Sequence, residues 1–542
     1  MHIMWSKIWR KLTTTLTGGA IIIATASIVS RLLGLVRDRL LASQFGAGDE
    51  LDIYYAAFRI PDLVFNVLVL GALSAAFIPV FIQYIQKAKD NPDNKNEVWH
   101  LANSLMNILL AGLLIFGAIF FVFAPYIIPL IAPGFGPEKQ AITVNMTRIM
   151  LVAIIFFGLS NVITGILNSF KRYVNFAFAP VMYNIGIIIG IIALAPIYGL
   201  YGLAYGVVLG SFLHLAIQVP GALRLGFRYK PVFDYKHKGV RSIGKLMLPR
   251  TFGLAVSQID QLVSVIIGST LASGSVAVFT LANNLQSFPI SVFGVSMAVA
   301  SFPFLSEAFA QKNNDLFVQH FSRSFRRILF ITIPVSVLIL LLRAQIVRVI
   351  LGTGAFDWDD TYLTAQALGL FTLSLFAQST IPLLARSFYA LKDTKTPVKT
   401  GIVSVILNIS GALILTRYMG VLGLPLAFTI AGFFNMIILL VLLRKKMGSF
   451  DDKKIVFSVG KILLISAMMG IIVIGAKYLL AQGVNMRSFV GIFIQGFGAG
   501  MIGVASYLIF ALLFRCDEIR IIYEWLKKAK HQLFNNKNNH TS

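Results

Sequence analysis

The sequence holds one cysteine, Cys516, among 542 residues. That excludes an intrachain disulfide and any metal site built from several cysteines. Acidic residues are scarce: 22 Asp and Glu stand against 47 Lys and Arg, for a formal net charge of +25. No G-x-x-x-x-G-K-[ST] loop occurs, which argues against ATP hydrolysis. No nucleophile stands with a base, so nothing marks the chain as an enzyme. No small-residue cleavage pattern follows Trp5-Ser6-Lys7-Ile8-Trp9-Arg10-Lys11, so the first apolar segment is expected to stay in the mature protein.

Apolar residues are what the chain has in abundance, 57% of the total, with a mean hydropathy of +0.80. Runs of roughly 18–25 apolar residues recur, each long enough to cross about 30 Å of hydrocarbon. The expected fold is therefore an all-α polytopic membrane protein with about fourteen transmembrane helices. In a soluble protein the basic excess would suggest nucleic acid. Here it collects in alternate loops, as in Lys87 and Lys89, Lys171 and Arg172, Arg224–Lys245, and Lys392, Lys395 and Lys399. The intervening loops are short or acidic, such as Asp357-Trp358-Asp359-Asp360. No basic face with interleaved aromatics lies outside the apolar runs, so nucleic acid is not an expected partner. The positive-inside rule instead puts both termini in the cytoplasm.

The chain also repeats itself. Ala282-Asn283-Asn284-Leu285 followed by Pro303 echoes Ala57-Phe58-Arg59-Ile60 followed by Pro79. Gly420-Val421-Leu422-Gly423-Leu424-Pro425 echoes Gly199-Leu200-Tyr201-Gly202-Leu203-Ala204, and Ser387-Phe388 echoes Ser169-Phe170. The offsets all fall near 220, which chance matches would not share. Six spans per repeat make the two lobes run the same way through the membrane, with a substrate site expected between them. The predicted organisation is an N-terminal lobe at 1–223, a cytoplasmic linker at 224–245, and a C-terminal lobe at 246–443. Two further spans occupy 444–514, and 515–542 reads as an amphipathic cytoplasmic tail carrying Ile519, Ile521, Ile522, Trp525 and Leu526.

Polar residues inside the spans carry the functional signal. Ser27, Ser30, Arg31, Gly34, Arg37 and Asp38 recur every three to four residues and form one stripe on a helix. An arginine near the bilayer centre costs on the order of 2.5–3.5 kcal/mol, so two on one helix need a compensating reason. A water-filled cavity that holds an anion supplies one. Arg39 reads equally well as an interfacial charge. Arg59 precedes Pro61, whose ring opens helical bonding beside such a cavity. Asp52 fits a helix cap or an ion-pair partner better than a ligand contact. The second lobe has Asn283 and Asn284 near the place matching Arg59, so an anion should bind mainly to the first lobe. Asp260 is an isolated carboxylate within an apolar run, which suggests a sodium or proton coupling site with Asn408 and Thr429 as oxygen donors. An Asp260 bonded to a neighbouring helix explains it as well. His214, alone in an apolar run, reads as a satisfied core residue.

Ser30-Arg31-Leu32-Leu33-Gly34-Leu35-Val36-Arg37-Asp38, Phe45-Gly46-Ala47-Gly48, Asp52 and Ala57-Phe58-Arg59-Ile60-Pro61 together resemble the N-terminal signature of the MurJ (MviN) lipid II flippases. Phe388-Tyr389-Ala390 with Asp393, Thr396 and Pro397 supports the likeness. The resemblance implies fourteen helices in the multidrug/oligosaccharidyl-lipid/polysaccharide (MOP) exporter fold. It implies flipping of undecaprenyl-diphosphate-linked peptidoglycan precursor across the bacterial cytoplasmic (inner) membrane, with Arg31 and Arg37 lining the cavity and Arg59 at a basic position of the second span. Asp38, Asp52, Asn283 and Asn284 complete the candidate substrate site. The implied partners are the lipid-linked diphosphate oligosaccharide, the bilayer and other cell-wall synthesis proteins. No cofactor is expected beyond Na+, H+ or the membrane potential as coupling. The chain departs from many members at Val64-Phe65-Asn66 and Leu70-Gly71-Ala72, where a further arginine and a Glu-Gly-Ala triplet are common, and at Asn283-Asn284 in place of an Asp-Arg pair. A flippase for another polyprenyl-linked oligosaccharide and a cation-coupled multidrug exporter of the same fold are the rival expectations.

Overall fold

The computed structural model describes residues 16–70, 73–91, 95–448 and 450–519. The basic stretch around Lys7, Gly71-Ala72 and most of the predicted tail helix, including Trp525, lie outside those residues. Regular structure among the described residues is entirely helical. Nine of these helices are long and apolar enough to cross a membrane, or ten if Trp358–Leu373 and Leu375–Ala390, bent by 44°, form one span. One of the nine, the 53-residue stretch Lys395–Met447, is broken at Gly420 into Lys395–Met419 and Gly423–Met447, the two spans expected there. Leu16–Phe45, Asp49–Ala57, Arg59–Phe65 and Lys238–Ser269 fall outside that apolar set. Among them are the helices that carry Arg31, Arg37, Arg59 and Asp260, two of the four being too short to span.

The first helix shows how the charge is accommodated. Ile21, Ile28, Leu32 and Val36 are exposed, spaced for one face. The polar stripe lies on the opposite side, with Arg31, Gly34 and Arg37 half-buried and Asp38 buried.

Two helices of the first lobe approach at backbone contact. A Cβ on Gly186 would stand 2.2 Å from Cα of Gly210, and one on Gly206 would stand 2.6 Å from Cα of Gly190. Gly186 and Gly190, facing Gly202, Gly206 and Gly210, are small-x-x-x-small ladders of the kind that let membrane helices touch without side chains between them.

The repeat seen in sequence is also present in backbone geometry. Left-handed residues recur at Lys171 and Lys392, at Gly199 and Gly420, and at Gly226 and Gly448, with φ of 56° and 59°, 59° and 57°, and 91° and 84°. A π-turn at Asn66–Leu70 has its counterpart at Ile290–Val295. Such turns insert one extra residue into a helix and often mark functional bends.

The chain falls into two compact units. The first is Met1–Thr280 with Ile350–Asp360, and the second is Leu281–Val349 with Thr361–Ser542. The helix Lys238–Ser269 lies in the first, and it begins eight residues earlier than the 246 expected, inside the basic linker. His237 starts it, its Nδ1 accepting from Gly239 N at 3.2 Å. The preceding strand of linker is strapped to helix Lys95–Ile131. Asn103 pairs with both Arg228 O and Lys230 N, and Asn107 Nδ2 donates to Lys230 O and Val232 O at 2.8 and 2.9 Å.

In the second unit the last two spans clip onto helix Asn314–Ile350. Glu518 takes the Arg326 guanidinium and the Ser458 hydroxyl, Gln345 bonds Gln495 at 2.9 Å, and the Tyr507 hydroxyl reaches Phe330 O at 2.7 Å. Asp393 opens helix Lys395–Met419, accepting from Lys395 N, Thr396 N and the Thr396 hydroxyl, and it takes Lys446 at 2.7 Å. That network is what the Asp393, Thr396 and Pro397 motif builds.

Two predictions follow from this packing. Gly206→Leu should lower the melting temperature of purified protein by a loss of roughly 1–3 kcal/mol or prevent folding. Gly112→Ala, with no atom near its added Cβ, should melt like the parent. Partial burial raises the Asp393 carboxyl, but hydrogen bonds from Lys446 and Thr396 outweigh it and leave it at about 2, below its ordinary 3.8. Its contribution to stability is therefore complete above pH 4 and fades as pH falls toward 2. A melting series in detergent should show that fading for the parent and not for Asp393→Asn.

Candidate functional site

The three candidate arginines of the first unit settle their charge in three different ways. Arg37 is committed. Its Nε and Nη2 both donate to Asp38 Oδ1, at 2.9 and 2.7 Å, and its Nη1 reaches Asn184 Oδ1 at 3.3 Å. Asn184 in turn donates to the backbone oxygen and hydroxyl of Ser30 and to Pro180 O, at 3.1, 3.2 and 3.1 Å. The pair is thus locked between the first helix and helix Ala179–Ile189. Asn184 escaped sequence reading because a lone asparagine in an apolar run carries no charge signature.

Arg31 is the opposite case. It is half-buried on the same stripe, and among the described residues it has no hydrogen-bond or ion-pair partner. Arg59 lies between these extremes. It opens the short helix Arg59–Phe65 after a break at Phe58, and its Nη1 donates to the side-chain oxygen of Gln261 at 3.1 Å. Its Nε is buried without a partner among the described residues. Arg39, the fourth cation here, reaches Ile350 O at 3.4 Å, an edge contact consistent with an interfacial charge.

Asp52 has a structural task. It is 2% exposed, and its two oxygens accept from Gly274 N and Ala277 N, each at 2.8 Å, across the start of helix Ser275–Pro289. Gly274 holds φ +83°, and a Cβ there would meet Ala47 O at 1.7 Å, so only glycine lets the turn close. Close by, Asp360 Oδ2 accepts Ala47 N at 2.9 Å and Ser43 O accepts Ala355 N at 2.8 Å. With both oxygens engaged by backbone, Asp52 is a cap and is unsuited to contacting a ligand anion.

The remaining candidates are spread over the two units. Asn283 and Asn284 are half-buried in the second unit. Asp260 is half-buried in the first, one turn before Ser264, whose hydroxyl caps the Asp260 carbonyl at 3.0 Å. Asn408 and Thr429 are buried in the second, and Thr429 donates to Leu370 O at 2.8 Å and shares a 3.1 Å bond with Ser374 at the helix bend. His214 is satisfied: Ser160 Oγ sits 2.7 Å from its Nδ1, and Gln218 and Thr164 extend the network.

Charged stripes inside spanning helices, paired helix breaks and a twofold sequence repeat define a polytopic membrane protein of the MOP-superfamily fold. An inward-facing MATE family multidrug resistance transporter of that superfamily superposes with a TM-score of 0.65 over 80% of this chain and 99% of its own, at 16% identity, a likeness of fold alone. The family profile described as lipid II flippase MurJ matches residues 41–494, and the chain belongs to that family. A solved structure of lipid II flippase MurJ in an inward closed conformation matches with a TM-score of 0.77 and 28% identity, covering 92% of this chain and all of its own. The probable lipid II flippase MurJ of Vibrio cholerae serotype O1 is 30% identical over 512 residues, 91% of this chain and 95% of that protein. The lipid II flippase MurJ of Burkholderia cenocepacia is 28% identical over 428 residues, 78% of this chain and 82% of that protein.

The different commitments predict different costs. Arg37→Ala removes the cation bonded to the buried Asp38 carboxylate and should cost about 3 kcal/mol of stability. Arg31→Ala breaks no hydrogen bond or ion pair among the described residues and should cost about 1 kcal/mol or less. Thermal unfolding of the two purified variants checks the difference.

Proposed function

We propose that this chain carries lipid II, the undecaprenyl-diphosphate-linked peptidoglycan precursor, from the inner to the outer leaflet of the bacterial cytoplasmic membrane by alternating access. The observation that carries the reading is the state of two arginines in a member of the MurJ family. Arg31 has no partner among the described residues, and the hydrogen bond of Arg59 there goes to a neutral group, Asp62 acting on it only through space. An unneutralised guanidinium in a membrane helix is costly unless an anion visits it. A diphosphate suits it, because the planar fork takes two phosphate oxygens at once. The polyprenyl chain would remain in lipid while the diphosphate and headgroup meet these cations. Arg37 then serves by holding the shape of the first helix.

The same reading puts both termini in the cytoplasm. Lys171, Lys312, Lys392 and Arg515 all hold positive φ just past helix ends and close a bond back into the preceding turn. Their charges complement the negative ends of those helices and match the basic side of a membrane protein. Rocking of the two lobes would expose the bound lipid to the outside, without covalent chemistry. Membrane potential would assist, at about 2.3 kcal/mol per unit charge per 100 mV. Asp260 is the residue we assign to coupling, by holding Na+ or by taking up a proton, while Asn408 and Thr429 lie in the other compact unit.

Depletion of the chain in its host should make lipid II accumulate on the inner leaflet. Arg31→Ala should slow appearance of the headgroup outside by at least about tenfold, at unchanged protein level and melting temperature. Unchanged flipping in that variant would remove Arg31 from the mechanism.

A further inference from the structure

Arg59 has a carboxylate within one helical turn that acts on it through space without closing an ion pair. Asp62 lies three residues further along the same helix, yet among the described residues no ion pair joins the two. The reason is direction. Helical side chains lean toward the N-terminus, so a cation placed before an acid points away from it, the weaker order for such pairs. The Arg59 guanidinium extends instead to Gln261, on helix Lys238–Ser269, in the same compact unit. Gln261 is exposed, and the carboxamide oxygen that it offers is neutral.

A neutral acceptor has a specific effect. It fixes the guanidinium in one place while leaving the positive charge uncancelled, and a guanidinium has further N–H donors for another oxygen. A carboxylate at this position would hold Arg59 as well, but would neutralise it, as Asp38 does for Arg37.

We propose that Gln261 is a substrate-positioning residue of this flippase, holding the Arg59 guanidinium in place without neutralising it so that the diphosphate of the substrate can take the cation. The inference rests on the reading that Arg59 meets that diphosphate. It names a residue that acts through Arg59, on a helix that the sequence repeat assigns to the other lobe.

The test uses the full-length chain in nanodiscs, with undecaprenyl diphosphate as the probe and native mass spectrometry as the measure of binding. Gln261→Leu should weaken binding about tenfold, with an unchanged melting temperature because the side chain is exposed. In an Arg59→Gln background the same change should alter binding less than twofold. Gln261→Glu keeps the shape and the acceptor but adds a charge. It should bind as poorly as the leucine variant at pH 8 and gain on the parent as pH falls and the glutamate protonates, the parent measured over the same pH range setting the baseline for titration of the diphosphate and of Asp62. Binding by Gln261→Leu within twofold of the parent overturns the proposal, as does an equal loss in both Arg59 backgrounds or full binding by Gln261→Glu at pH 8. If Arg59→Gln itself binds normally, the Arg59 reading fails and takes this inference with it. If Arg59→Gln is weakened and Gln261→Leu is not, the inference alone fails.

Discussion

A guanidinium carried into a membrane-spanning helix must be neutralised, hydrogen-bonded or supplied with an anion, because bare burial of the ion is far costlier than a fold can absorb. The first compact unit is arranged around that constraint. Arg37 meets it inside the protein through Asp38 and Asn184, and the bonds tie the first helix to helix Ala179–Ile189. Arg59 meets half of it through the neutral oxygen of Gln261. Arg31 leaves it unmet among the described residues. The order from committed to open separates charge that builds the fold from charge that the proposed reading gives to a ligand. A count of arginines alone would not make that separation.

A second constraint acts on the backbone. Helices that change direction inside a bilayer must re-satisfy the N–H and C=O groups they release. The π-turns at Asn66–Leu70 and Ile290–Val295 do so by widening the helix without breaking its bonding. At the bend near Leu373 the freed carbonyls find side chains: Thr429 donates to Leu370 O, while Gln286 and Ser374 donate to Phe371 O. The neutral polar residues buried in the second unit are thus largely spoken for by backbone. Its half-buried Arg326 is likewise committed, to Glu518.

What could be read from sequence was whatever carried a large energetic penalty. Arg31, Arg37 and Arg59 stood out because charge in an apolar run is expensive. The repeat stood out because Gly199 and Gly420 keep their residue type where the backbone needs a left-handed turn, and because Ser169-Phe170 recurs as Ser387-Phe388. Asn184 and Gln261 were missed for the opposite reason, since an amide in a hydrophobic segment is cheap and commonplace. The true start of helix Lys238–Ser269 was missed because its first turns are basic and read as linker. Asp52 was legible as a cap in kind but not in place, its helix lying more than 220 residues further along the chain. The π-turns leave no side-chain signature at all.

The differing commitments of the arginines also bear on turnover. A hydrogen bond to an ionised group is worth about 1.5–3 kcal/mol, so each available guanidinium multiplies affinity for a diphosphate by roughly ten- to a hundredfold. A flippase gains nothing from holding its cargo equally tightly on both sides of the membrane, because uniform binding slows release as much as it favours capture. Withdrawing Arg37 into an internal pair limits that affinity while keeping its structural service. Leaving Arg59 charged but tethered keeps a cation that is positioned before the ligand arrives, which lowers the ordering cost of binding without deepening the bound state. On this argument the chain's departures toward fewer charges, at Val64-Phe65-Asn66 and Asn283-Asn284, need not weaken transport. On the proposed reading they shift the balance toward release and leave recognition to Arg31 and Arg59.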